Sequence, residues 1–110
     1  MRDPKILEEV KATLAVLSEV SPGRAIEVRV PPYAAIQCVE GGNHRRGTPP
    51  NVVEMDAQTL LKLSNSPQNW DQLCSEGAIS ASGTNSDLSE LFNSVSKLIS
   101  NFDEELSDGK

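Results

Sequence analysis

From Asp3 onward the apolar positions fall at helical spacing: Ile6, Val10, Leu14 and Leu17, with Glu8, Glu9 and Lys11 on the opposite side. Asp3 is placed to cap this helix. Pro4 suits its first position, where a backbone N–H would lack a partner anyway. Ser21-Pro22-Gly23 ends it. The period then drops to two. In Ile26-Glu27-Val28-Arg29-Val30 the aliphatic residues share one face and the charges the other, which predicts a half-buried strand. Pro31-Pro32 stops that strand, because neither ring can donate a ladder hydrogen bond. Residues 33–40 predict a second strand with Ala34, Ile36 and Cys38 inward, or Tyr33, Ala35, Gln37 and Val39 inward; the first alternation keeps Gln37 out of the core. Gly41-Gly42-Asn43 supplies a turn. Asn51–Met55 predicts a third strand, reached through the extended Gly47-Thr48-Pro49-Pro50.

The helical period returns at Asp56, which caps a short helix carrying Leu60, Leu61 and Leu63. The pattern repeats with Ser66 as cap and Pro67 in the first turn. Trp70, Leu73 and Cys74 point inward there, and Gly77 is a left-handed stop. Residues 78–83 predict a short fourth strand. The longest amphipathic helix follows, with Leu88, Leu91, Phe92, Val95, Leu98, Ile99 and Phe102 on one wide apolar face. Residues 103–110 are acidic and lack an apolar period, so they are expected to fray, leaving residues 1–102 as one domain. The order α-β-β-β-α-α-β-α predicts an α+β fold. Its sheet is mainly antiparallel, of about four or five strands, with helices packed on one face.

Composition narrows the function. The chain has 110 residues and a net charge of −6. Residues 1–50 are near charge balance, whereas the second half carries a strong acidic excess. With no basic stripe longer than His44-Arg45-Arg46 and only four aromatic residues, nucleic acid is not an expected partner. No twenty-residue apolar run is present, so no membrane insertion is expected. The N-terminal residues have acids where an export signal needs an apolar stretch. Cys38 and Cys74 stand far apart with no histidine beside them. They read as unpaired thiols in a reducing compartment, which points to the cytoplasm, with a disulfide or a reactive thiol as the alternative. A single histidine rules out a histidine-rich metal site, and no nucleophile or zinc motif occurs. Neither catalysis nor a cofactor is therefore expected.

The string Tyr33-Ala34-Ala35-Ile36-Gln37-Cys38-Val39-Glu40-Gly41, then His44, then Arg46-Gly47-Thr48-Pro49-Pro50-Asn51-Val52-Val53-Glu54, resembles the small single-domain sterol-carrier orthologues of bacteria. The later pattern of Asp56, Leu60, Leu61, Trp70, Gly77, Ile79, Gly83 and Leu88 is similar to the C-terminal half of sterol carrier protein type 2 domains. The resemblance covers roughly residues 20 to 95. It implies a mainly antiparallel sheet covered by helices, an apolar tunnel for sterols, acyl chains or other lipids in the larger relatives, and no catalysis. Two departures bear on tunnel width. Asn65-Ser66-Pro67 stands where many relatives have a glycine, and Leu73-Cys74 stands where an alanine is usual.

A closed, empty void of about 350 Å³ would cost about 8 kcal/mol at roughly 24 cal/mol per Å³, against a total stability of roughly 5–15 kcal/mol. The expectation is therefore a small or open apolar groove between the last helix and the sheet. It would be lined by Ile36, Met55, Leu60, Trp70, Leu88, Leu91, Phe92 and Val95. His44, Arg45 and Arg46 form a candidate anion or headgroup site; the competing reading pairs the arginines with Glu40, Glu54 or the acidic second half. The expected role is non-catalytic binding of an apolar or amphipathic small molecule. The alternative is a protein-interaction or homodimer contact through the apolar end of the last helix.

Overall fold

The computed structural model describes residues 3–41, 51–83 and 86–108, with the side chains of the last helix described through Ile99. Helix α1 spans Pro4–Val20, followed by strands β1 (Ile26–Val30), β2 (Ala34–Cys38) and β3 (Asn51–Met55). Helix α2 (Ala57–Asn65), a single 3-10 turn (Pro67–Asn69), α3 (Trp70–Ser75), β4 (Ile79–Ser82) and α4 (Ser89–Asp108) complete the order. This is the element order that the periodicities predict. The helix α4 continues past Phe102 into the acidic stretch, whose glutamates and Leu106 are ordinary helix formers with no proline or glycine before Gly109.

The strands lie in the order β2-β1-β3-β4. β1 is antiparallel to β2 and parallel to β3, and β3 is antiparallel to β4, so the four-stranded sheet is mixed but mostly antiparallel. Register sets the faces. Val28 stands opposite both Ile36 and Val53, and Ile26 opposite both Cys38 and Asn51. One sheet face therefore carries Ile26, Val28, Val30, Cys38, Val53, Met55 and Ile79, all buried. Ala34 and Ile36 share that face, as the alternation that excludes Gln37 requires. The other face carries Glu27, Arg29, Gln37, Glu54, Ser80 and Ser82, none of them buried.

Helices cover the apolar face. α1 runs along β2, α3 lies against β4, and α4 packs against α1, α2 and the 3-10 turn. Asp3 accepts a hydrogen bond from the Lys5 N–H at 2.9 Å, and Asp56 accepts one from the Thr59 N–H at 2.9 Å, so both predicted aspartate caps form. Ser66 stands at the predicted cap position, but its hydroxyl makes no capping bond. At the end of α3 the Ala78 N–H reaches the Leu73 carbonyl at 2.9 Å and the Gly77 N–H the Cys74 carbonyl at 3.1 Å. With Gly77 at φ +85°, this is a Schellman stop.

One corner carries backbone strain. Val39 has φ +69°, a left-handed conformation that a β-branched residue adopts only at a cost of about 1–2 kcal/mol. It is clamped there: its N–H donates to Ser21 at 2.7 Å and its carbonyl accepts from Ala25 at 2.9 Å. Gly23 sits against that carbonyl, where a Cβ would come within 2.2 Å of the Val39 oxygen. A Cβ at Gly77 would meet nothing within 4 Å. Gly23→Ala should therefore cost well over 2 kcal/mol or prevent folding, and Gly77→Ala only about 1–2 kcal/mol. Equilibrium urea unfolding of both variants checks the difference.

Candidate functional site

The residues expected to line a groove come from five elements, and the fold brings them together. Leu60 on α2, Trp70 on α3, Met55 on β3 and Leu88, Phe92 and Val95 of the last-helix segment all belong to one buried cluster. Ile36 on β2 and Leu91 on α4 are half-buried against it. Asp56 sets the start of α2, and the Pro67 turn swings Trp70 inward, where its ring meets that of Phe92. The centroids are 6.2 Å apart and the planes inclined by 32°. Phe92 and Val95 are completely shielded from solvent. Their partners are protein atoms, so a guest at this seam has to replace protein contacts rather than occupy spare volume.

Three solvent-open concavities are lined by described residues, and they lie at one end of the sheet. The first, about 550 Å³, is bounded by Arg29, Pro31, Pro32, Tyr33, Ala34, Ala35 and Glu54. The second, about 320 Å³, shares Pro31 and Glu54 with it and adds Met55, Asp56, Gly77, Ala78 and Ser80. The third, about 250 Å³, lies between α2 and the end of α3. Of the eight groove residues expected from the sequence, only Met55 lines any of these three. Sequence reasoning did not find this end of the sheet. Its signals, a Pro-Pro turn and isolated acids, are those of any loop.

His44, Arg45 and Arg46 lie outside the described residues. Asn51, read from the sequence only as part of a strand, is buried, and its side-chain amide donates to the Ala25 carbonyl at 3.2 Å. That bond ties the start of β3 to the chain entering β1. Asparagine is a poor strand former, so periodicity gave no warning of the role. At the apolar end of α4, Leu98 is 51% exposed, while Ile99 packs partly against the core.

The two cysteines are free thiols. Burial pushes the Cys38 thiol up from its ordinary 9.0 to about 11. Cys74 is also raised, first by burial and then by the carboxylates of Asp71 and Asp87. Neither is activated, since nucleophilic cysteines need the opposite shift. Among the described residues no group of three or more histidine, cysteine or acidic side chains is placed to hold a metal ion. No described helix is long and apolar enough to cross a membrane.

The family described as "Bacterial SCP ortholog" has a sequence profile that matches residues 3–93. No curated protein matches the chain.

The thiols yield a test. Cys38 keeps its proton more tightly folded than unfolded, so its contribution to stability is complete below pH 9 and lost as pH rises toward 11. The unfolding free energy should fall across that window, by on the order of 2 kcal/mol. Cys38→Ala should flatten this part of the profile while lowering the whole curve. A disulfide-exchange reagent should label Cys38 only on unfolding and Cys74 slowly in the native state.

Proposed function

The chain belongs to the bacterial SCP-ortholog family, and from that premise we propose that it binds an apolar or amphipathic small molecule at the seam between α4 and the rest of the core. The family assignment indicates a lipid- or sterol-carrier-like role, and proteins of this kind are non-catalytic carriers. That membership is the observation that carries the reading. Two features support the proposed location. The candidate residues Ile36, Met55, Leu60, Trp70, Leu88, Leu91, Phe92 and Val95 already lie in or against a single apolar cluster. The stripe they form on α4 also runs on to Leu98, which is half exposed.

Binding at a filled seam requires α4 to give way. The ligand then supplies apolar contact in place of Phe92, Val95 and their neighbours, and the exchange of contacts offsets part of the cost. An acyl chain suits this better than a rigid sterol, because it can enter a narrow opening one methylene at a time, at roughly 0.8 kcal/mol per methylene buried. His44, Arg45 and Arg46 are proposed to hold the headgroup of an acidic ligand.

The exposure of Leu98 favours a second reading, in which the apolar end of α4 meets a second copy of the chain. In that case concentration-dependent sedimentation should disappear in the Leu98→Asp, Phe102→Asp double variant.

Native mass spectrometry of the purified protein is expected to show a bound apolar adduct. Titration of delipidated protein with oleate should shift the emission of Trp70, the single tryptophan. Bare protein mass together with an unchanged spectrum would rule out the carrier reading. Replacing Arg45 and Arg46 with alanine should weaken oleate binding by about 1–3 kcal/mol, the cost of losing charged hydrogen bonds, while leaving an uncharged long-chain alcohol unaffected.

A further inference from the structure

Strand β4 ends the sheet order, with β3 as its neighbour on one side. Ser80, Ala81 and Ser82 are all exposed. Natural edge strands are usually blunted by lysine, proline or a bulge, because unpaired backbone groups template further pairing. β4 carries no lysine, proline or bulge, and at four residues it is short, so its edge has room for one brief segment only. Among the described residues, nothing pairs with its outer edge.

A second observation lies beside the first. On the open sheet face Glu54 stands opposite Ser80, and Val52 opposite Ser82. Glu54 is exposed and has no hydrogen-bond or ion-pair partner among the described residues. Its register neighbour on β1, Arg29, is engaged with Glu27 at 3.1 Å. The 320 Å³ concavity at this end of the strand is lined by Glu54, Asp56 and Ser80.

We propose that the β4 edge is a docking site for an extended segment of a partner protein, with an apolar residue opposite Ser82 and a basic residue opposite Ser80. The segment adds as an antiparallel fifth strand, so the apolar residue precedes the basic one by two positions. Geometry sets this rule. A residue on the added strand lies two strand spacings, about 10 Å, from its row-mate on β3. A lysine or arginine side chain can bridge that gap to Glu54 only because the intervening residue is a serine. In the next row a β-branched side chain packs directly against Ser82, which is the row-mate of half-buried Val52. A second copy of the chain fits less well. Its own β4 offers serines and alanine with no cation, and each copy carries a net charge of −6.

The test uses the full chain, ¹⁵N-labelled, and two synthetic acetylated and amidated hexapeptides. One reads Thr-Thr-Val-Thr-Lys-Thr, and the other has glutamate in place of lysine. The lysine peptide is expected to shift and protect the amides of residues 79–82. It should bind roughly two- to fivefold more tightly than the glutamate peptide, the size of one exposed ion pair. Glu54→Gln should remove that preference, and so should Ser80→Lys, which gives Glu54 a partner within the chain. Both changes are at exposed positions, and an unchanged spectrum elsewhere reports an intact fold. The proposal is overturned by equal affinity for the two peptides, by shifts confined to other residues, or by β4 amides already protected through self-pairing without peptide.

Discussion

The structure depends on one apolar seam, where the inner face of a four-stranded sheet meets helices that cannot stand alone in water. The sheet contributes Ile26, Val28 and Val30 from its central strand, all buried, with the flanking strands held in register so that every second side chain joins them. The helices contribute Leu14, Leu17, Leu60, Leu63 and Phe92, each fully or almost fully shielded. Losing a ring such as Phe92 from such a site costs about 3–5 kcal/mol, a large share of the roughly 5–15 kcal/mol that holds a domain of this size together. The outer sheet face adds little to that stability. Its one ion pair among the described residues, Glu27 with Arg29, is exposed.

This division of labour bears on how a carrier of this size can work. A chain of this size loses too much stability by leaving a closed apolar void empty. Here the last helix packs against other helices, the 3-10 turn before Trp70 and the ring of Trp70 itself. Its contacts are dispersive and non-directional, so they can be exchanged for those of a guest at modest cost. The sheet is held by backbone ladders that no lipid can replace. The proposed ligand site and the proposed β4 docking edge therefore use opposite parts of the molecule, the first its apolar interior and the second its polar rim.

Much of this architecture was legible in the sequence. The aspartate caps, the Gly77 stop and the inward alternation of β2 each follow from local chemistry that the tertiary structure does not override. Membership of the family was legible too, in the strand-turn strings around Tyr33 and Asn51. What the sequence could not show depends on distant partners. The parallel pairing of β1 with β3 is a matter of topology, since both strands have the same alternating pattern whichever way they run. The strained Val39 is invisible because its conformation is imposed by Ser21, Gly23 and Ala25 across the corner. A stripe such as Leu88-Phe92-Val95 declares that it is buried but not against what. The neighbours of α4 include α1, α2 and the 3-10 turn. The concavities at the sheet end left no periodic trace.

The central claim is that α4 is held by replaceable apolar contacts while the sheet is held by its ladders. Native-state hydrogen exchange, resolved by residue, tests this most directly. The account predicts that amides of α4 from Phe92 to Ile99 exchange through an opening smaller than global unfolding. Those of Val28 and Val53 should exchange only when the whole chain unfolds. Identical opening free energies for helix and sheet would contradict it, because α4 would then be an inseparable part of one rigid core.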